Sequence, residues 1–396
     1  MTSGERAPGG RRLLVLLLLH SALTQVITFV LRPTSAYRAL ELDVPAAWLG
    51  ALTASFAVVP LVLAVPSGQA TDRFGERRVM LVGAVLMAAS GAVFATERGG
   101  AAGLVVGSVV LGTGHLLSVV GQQAAVANSA GPGRFDTAFG YYTFAASLGQ
   151  AAGPALITLI GGSGALPDTT PIFLTATALG VVLLVCTAFL RMPARERAVG
   201  AAESGGMGVL LRLPGLLRAL LISCVVLAAV DITLVYLPAL GSDRGLAAGV
   251  VGLLLTLRAV ASMTSRLFLG HLVRLVGRRR LMIVSVALSA GSMAVLAVPM
   301  PTLAMAAVVV LLGLGLGVGQ PLTMSWLAEV APAGLRGRAM SLRLTGNRLG
   351  QVLIPSAVGL VAAGVGAAGV LAATAGALAA VAVAARRLAV DGGPGT

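Results

Sequence analysis

The stretch "SGQATDRFGERRVM", residues 67–80, decides how the chain is read. It packs Asp72, Arg73, Glu76, Arg77 and Arg78 into a short turn, in a chain of 396 residues of which only 11% are charged. Two long apolar runs flank it, at about residues 46–66 and 79–95. Soluble domains carry about 25% charged and 45–50% apolar residues. Here 57% of residues are hydrophobic and the mean hydropathy is +0.96. Repeated runs of about 20 nearly charge-free residues fit a ~30 Å hydrocarbon core. The fold class is therefore an all-α polytopic membrane protein, since the short alternating segments of a β-barrel do not occur.

Twelve apolar spans are expected, at about 13–32, 46–66, 79–95, 101–123, 138–160, 171–190, 216–238, 247–269, 281–299, 303–327, 340–361 and 367–385. Even parity puts both termini on one side, and arginine placement says which. All 28 basic residues are Arg. The N-terminus and the even-numbered loops hold Arg11, Arg12, Arg73, Arg77, Arg78, Arg134, Arg191, Arg274, Arg278, Arg279, Arg280, Arg336 and Arg338, with Arg386 and Arg387 after the last span. The odd-numbered loops carry few, such as Arg38, Arg98 and Arg244. The expectation is a multi-pass protein of the cell inner membrane with both termini cytoplasmic. A net charge of +14 spread over alternate loops does not suggest nucleic acid as a partner. The partners expected are the lipid bilayer, protons and a small-molecule substrate, with the protein a monomer. The opening "GERAPGGRRLLVLLLLHSALTQVITFV", residues 4–30, reads as an uncleaved first helix rather than a signal peptide. Cys186 and Cys224 lie in apolar runs and offer neither a disulfide framework nor metal spacing, so no metal and no cofactor are expected.

The charged turn returns in degraded form as "LGHLVRLVGRRRLM", residues 269–282. Without a gap, Gly68 aligns with Gly270, Asp72 with Arg274, Gly75 with Gly277 and Arg77 with Arg279. "SLGQAAGP", residues 147–154, likewise resembles "RLGQVLIP", residues 348–355. These repeats divide the chain into a six-helix bundle at 1–190, a Gly- and charge-rich linker at 191–215 and a second bundle at 216–396. Parallel half-repeats of this kind are one known transporter architecture.

"GQATDRFGERR" resembles the signature of the major facilitator superfamily: Gly, three residues, Asp-Arg, one residue, Gly, one residue, then basic residues. The resemblance implies twelve transmembrane helices in two pseudo-symmetric six-helix bundles, and transport by alternating access. "GQAAGPALITLIGG" resembles the antiporter motif of proton-driven drug exporters at Gly149, Gly153 and Pro154, while the Gly-Gly that follows comes late, at Gly161 and Gly162. A further position also departs from that group. Where such exporters commonly carry an Arg in the fourth helix, this chain has Ser108. The resemblance further implies that Asp72 lies at the start of the eleventh span, beside Arg338. By symmetry Arg274 would meet Asp136 at the start of the fifth. These two cytoplasmic latches, with Gly68, Arg73, Gly75, Arg77, Arg78 and Gly277, form the expected gate motif. On that reading, Asp72→Arg impairs transport and added Arg338→Asp partly restores it.

An ionisable residue at membrane depth is a functional-site hypothesis by default. Asp231 in the seventh span and Arg258 in the eighth lie at similar depth and are candidates for a proton-coupling pair; a purely structural ion pair is the alternative. Arg32 near the outer end of the first span suits an anionic substrate or a snorkelling role. Arg343, Asn347 and Gln351 form one polar face of the eleventh span, with Arg343 near its end, where snorkelling accounts for it, and Asn347 and Arg348 deeper. His115, with Ser118 and Gln122, forms a stripe in the fourth span, and Gln320–Pro321 interrupt the tenth after "GLGLGVG". Gln25, His115, Asp231 and Gln320 are the cavity candidates. The function expected is a secondary active transporter, a proton-coupled exporter of small organic or drug-like molecules. The alternative is an importer or facilitator of a small metabolite or organic anion. No nucleophile–base constellation or nucleotide loop suggests an enzyme.

Overall fold

The computed structural model describes residues 8–43, 46–96, 100–131, 133–161, 167–192, 206–332, 334–361 and 366–386. Their helices, in order, are α1 (Pro8–Glu41), α2 (Ala46–Phe74), α3 (Glu76–Ala95), α4 (Gly100–Ser129), α5 (Phe135–Ile160), α6 (Thr169–Ala188), α7 (Gly206–Leu211), α8 (Leu216–Asp243), α9 (Ala248–Leu267), α10 (Leu269–Val276), α11 (Arg278–Leu296), α12 (Thr302–Val330), α13 (Arg336–Val361) and α14 (Gly366–Ala385). Among the described residues, the expected spans fall on α1–α6, α8, α9 and α11–α14, while α7 and α10 are short additions. Nine of these helices are long and apolar enough to cross a membrane. Their outward faces expose Val181, Val182, Leu253 and Leu303, as contact with lipid allows. Most of the linker, residues 193–205, lies outside the described residues, as does Gly162.

Two compact units form. Unit 1 comprises α1–α4, the part of α5 from Ala145, α6, and the start of α13 through Thr345. Its core joins Leu31 of α1, Phe56 of α2, Met87 and Phe94 of α3, Leu111 of α4 and Phe173 of α6. The Phe94 and Phe173 rings stack at 5.3 Å. Small residues set the helix spacing. A Cβ on Gly114 would come 2.8 Å from the Gly83 carbonyl, so α3 and α4 touch backbone to backbone.

Unit 2 comprises α8–α12 and α14, the start of α5 through Phe144, and α13 from Gly346. The repeat shows in its packing. A Cβ on Gly315 would meet the Ser285 carbonyl at 2.6 Å, so α12 lies against α11 as α4 lies against α3. The expected interruption at Gln320–Pro321 does not form: α12 runs through Pro321 without a break. Proline has no N–H for the carbonyl four residues back. That carbonyl belongs to Gly317, and Arg266 Nε of α9 donates to it at 3.3 Å.

Candidate functional site

The charged turn is built on Gly75, which caps α3 with φ at 89°. A left-handed backbone suits glycine and lets α2 reverse into α3 within one residue. Gly277 repeats the device between α10 and α11 with φ at 82°. In unit 1 the turn presents Asp72 to the first turn of α13. Its Oδ1 accepts from the Gly337 N–H at 2.9 Å and its Oδ2 from the Arg338 N–H at 3.0 Å. Arg338 Nε stands 3.8 Å from Oδ2. The Asp72 side chain is only 5% exposed, so these bonds meet little competition from solvent. A carboxylate on the first free N–H groups of a helix also meets the positive end of its dipole. The approach depends on small residues, since a Cβ on Gly68 would lie 2.8 Å from Arg338 Cα and 2.7 Å from the Gly337 carbonyl.

The same end of unit 1 holds a second chain of contacts that the sequence reading did not single out. Asn128 donates to Glu76, while Arg336 donates to Asn128 Oδ1 at 3.2 Å and to the Ala127 carbonyl at 2.8 Å. Of the remaining turn residues, Arg77 donates to the Ala188 carbonyl at the end of α6 at 2.7 Å. Arg73 lies over the Phe74 ring at 5.2 Å, and Arg78 is exposed.

Unit 2 corrects the expected second latch. Asp136 is held by Arg278, not Arg274: Nε donates to Oδ1 at 3.1 Å and Nη2 to Oδ2 at 2.7 Å, a bidentate pair. Arg278 also bonds Glu329, and Ser325 donates to Asp136. Arg274 lies on the exposed side of α10, with Nη2 at 3.4 Å from His271 Nδ1. The reason is register. Arg274 falls in the last turn of α10, before Gly277 reverses the chain, whereas Arg278 opens α11. In the repeat Arg278 aligns with Glu76, so the charge inversion that matters falls four residues beyond the Asp72 position. Gly270 keeps the role of Gly68: a Cβ there would meet Thr137 Cβ at 2.9 Å.

In the interior of unit 1, Gly149 and Gly153 lie against α1, where added Cβ atoms would come 2.9 Å from Gln25 Cβ and 2.7 Å from Phe29 Cβ. Pro154 follows on an exposed position of the same helix. Gln150 donates to Gln25 Oε1 at 3.4 Å. His115 Nδ1 lies 3.0 Å from Thr28 Oγ1 and its ring 5.7 Å from that of Phe56, over which the exposed Arg32 guanidinium lies at 4.5 Å. His20 escaped the sequence reading because it sits in an apolar run. It is fully buried, with Nε2 at 2.8 Å from Thr187 Oγ1 and Nδ1 at 2.7 Å from Gln122 Nε2. Gln122 also donates to Thr24 at 2.9 Å. This pattern suits a neutral imidazole with the proton on Nε2. Arg343 does not snorkel: it is 2% exposed and donates to Gln123 of α4 at 3.1 Å. Ser108 is buried in α4.

In unit 2, Ser223 of α8, Gln320 of α12 and Asn347 of α13 form a closed set. Ser223 donates to Asn347 Oδ1 at 2.7 Å, Asn347 Nδ2 to Gln320 Oε1 at 3.3 Å, and Gln320 Nε2 to the Ser223 carbonyl at 2.7 Å. Further along α13, Arg348 donates to Gln351 Oε1 at 3.0 Å and Gln351 donates to Asp231 Oδ2 at 2.7 Å. Arg258 is buried within electrostatic reach of Asp231, and its Nε has no hydrogen-bond partner. Among the described residues, no group of three or more His, Cys, Asp or Glu side chains could hold a metal ion.

Repeated helix hairpins closed by glycine-built turns, with helices long and apolar enough to span a bilayer, define a polytopic helical membrane protein. The Major Facilitator Superfamily model matches residues 13–250 and 219–395, and the chain belongs to that family. It is a family of transporters of small molecules, not of enzymes. Among solved structures, the E. coli fucose:proton symporter FucP superposes with a TM-score of 0.82 at 14% identity, covering 96% of this chain and 98% of that one. The human organic anion transporter MFSD10 gives 0.75 at 18% identity, covering 96% and 100%. A bacterial homologue of the iron transporter ferroportin, in its outward-facing state, gives 0.77 at 16% identity, covering 94% and 98%. At these identities the likeness is one of fold. No curated protein matches the chain by sequence.

Proposed function

We propose that the chain is a secondary active transporter that exports small organic or drug-like molecules in exchange for protons. It would work by alternating access, as a monomer in the inner membrane with both termini and the charged turns on the cytoplasmic side. The moving bodies would be the bundles at about 13–190 and 216–385, joined by the linker at 191–215. The observation that carries this reading is the pair of charged, glycine-built helix-end contacts, Asp72 on the start of α13 and Arg278 on Asp136 at the start of α5. Hydrogen bonds and ion pairs at the helix ends can be exchanged for bonds to water when the contact opens, so opening costs only their modest net worth. Gly149 and Gly153 against α1, with Pro154 behind them, support a bending helix of the exporter kind. Asp231 at mid-helix, beside Arg258, is the acid proposed to take up and release the proton.

A second reading is a facilitator or importer of a small metabolite or organic anion. Ser108 at the helix position where exporters carry Arg favours it, as do Arg32, Arg258 and Arg348. Reconstituted vesicles with an imposed pH gradient and a panel of organic substrates separate the two. Accumulation only where protons leave supports exchange; equilibration indifferent to the gradient supports facilitation and rejects the first reading.

A further inference from the structure

The interior of unit 2 carries more positive than negative charge. Asp231, Arg258 and Arg348 each lie near the middle of a long helix, α8, α9 and α13. Arg266 follows Arg258 by eight residues on the same face of α9. Two of these guanidiniums have identified acceptors. Arg266 donates to the Gly317 carbonyl that Pro321 leaves open, and Arg348 donates to Gln351, which passes on a bond to Asp231. Arg258 differs. It is 6% exposed, its Nε is buried without a hydrogen-bond partner, and its electrostatic partner Asp231 is already engaged by Gln351.

Arg258 is also held in place. A Cβ on Gly313 would stand 3.1 Å from the Arg258 carbonyl carbon, and Ser262 one turn on donates to the Gly313 carbonyl at 2.8 Å. With α9 packed this tightly on α12, the helix cannot roll to bring the guanidinium to a water surface. A buried cation with an unused donor is an unfavourable arrangement unless something anionic completes it. Planar guanidinium donors match the paired oxygens of a carboxylate or a phosphate, and the single charge of one guanidinium is balanced by the singly charged carboxylate.

Resting on the transporter reading above, we propose that Arg258 is the anion-recognition residue of the substrate site. It takes the carboxylate of an organic acid, and Asp231 is an internal competitor for the same guanidinium. The bound acid supplies the acceptor that Arg258 lacks, and in doing so frees Asp231 from its positive neighbour. Arg348, linked to Asp231 through Gln351, balances the second negative charge, so the site is neutral rather than negative when both carboxylates are present.

The test uses the purified full-length protein in detergent at neutral pH, with 2-naphthoate as probe. The neutral 2-naphthamide and the cationic 2-naphthylmethylamine share its ring and serve as controls. Saturable naphthoate binding is expected, with both controls weaker by about tenfold or more, the worth of a charge-assisted hydrogen bond. Arg258→Gln should weaken naphthoate binding by about ten- to a hundredfold on the same basis and leave the amide unchanged. Asp231→Asn should strengthen naphthoate binding, because the competitor loses its charge. If Arg258→Gln does not yield monodisperse protein, the Asp231→Asn arm decides alone. Equal binding of acid and amide, no naphthoate binding, or weaker binding in Asp231→Asn overturns the proposal. Binding in detergent requires no transport, so the two readings fail separately. Arg258-dependent binding without flux in vesicles would contradict transport and keep the site; flux indifferent to ligand charge would do the reverse.

Discussion

Replacing Asp72 with Asn tests the unit 1 latch at the level of single hydrogen bonds. The carboxylate now accepts from two backbone N–H groups, at 2.9 and 3.0 Å, on the first turn of α13. Hydrogen bonds to a charged group contribute ~1.5–3 kcal/mol each, and the helix terminus adds ~0.3–1 kcal/mol. The amide keeps one acceptor, loses the charge, and turns an NH2 group toward the second N–H. The net loss from the latched arrangement is then about 2–3 kcal/mol, or ~30- to 150-fold in its population relative to the released one. Ser341, fully buried beneath the turn, reports that release. With Cys186 and Cys224 replaced by Ser, a cysteine introduced by Ser341→Cys should react with a membrane-impermeant maleimide at least tenfold faster once Asp72→Asn is added. An unchanged labelling rate would mean that these bonds do not hold the turn on α13. The geometry also revises the charge-swap experiment. The principal donors are backbone N–H groups, so Asp72→Arg with Arg338→Asp should be no better than Asp72→Arg alone.

Three further outcomes follow from the same structure. Arg278→Gln leaves Asp136 and Glu329 without their shared cation; with the Asp136 side chain 8% exposed, thermal unfolding should show a loss of about 3–5 kcal/mol, part of which Asp136→Asn recovers. Gly277→Ala should lower stability by about 1–2 kcal/mol through backbone strain alone, since φ is 82° and nothing lies within 4 Å of the added Cβ; an unchanged melting temperature would contradict that conformation. Gln122→Leu removes the amide between His20 and Thr24 and leaves a buried ring nitrogen without its donor, so a loss of about 1–3 kcal/mol is expected in the same assay.

The helices and the repeat were legible because they rest on long-range regularities of the sequence. Hydropathy over about 20 residues marks a span whatever it packs against, and Gly75 and Gly277 announce their turns by residue type. The Asp72 contact was expected from the family resemblance of "GQATDRFGERR", not from hydropathy or spacing, and Asp72 does meet the start of α13. The second latch was not legible. Aligning Asp72 with Arg274 directs attention to that position, while the residue that reaches Asp136 is chosen by where α10 ends and α11 begins. His20 lay hidden because one polar residue in "LLLLHSALT" does not alter an apolar run, and only the folded unit brings Gln122 and Thr187 to it. The burial of Arg343 depends on Gln123, 220 residues away in sequence. Nor could the continuity of α12 through Pro321 be read from the chain, since it needs Arg266 to occupy the Gly317 carbonyl.

The most direct test of proton-coupled exchange is proton movement driven by substrate in the absence of any imposed pH gradient. Purified protein is reconstituted into vesicles enclosing a pH-sensitive dye, and an organic substrate gradient is applied across the membrane. Under proton-coupled exchange, substrate flowing one way drives protons the other, and Asp231→Asn carries substrate without moving protons. Substrate flux with no change in internal pH in the unmodified protein, or coupling that survives in Asp231→Asn, would contradict it.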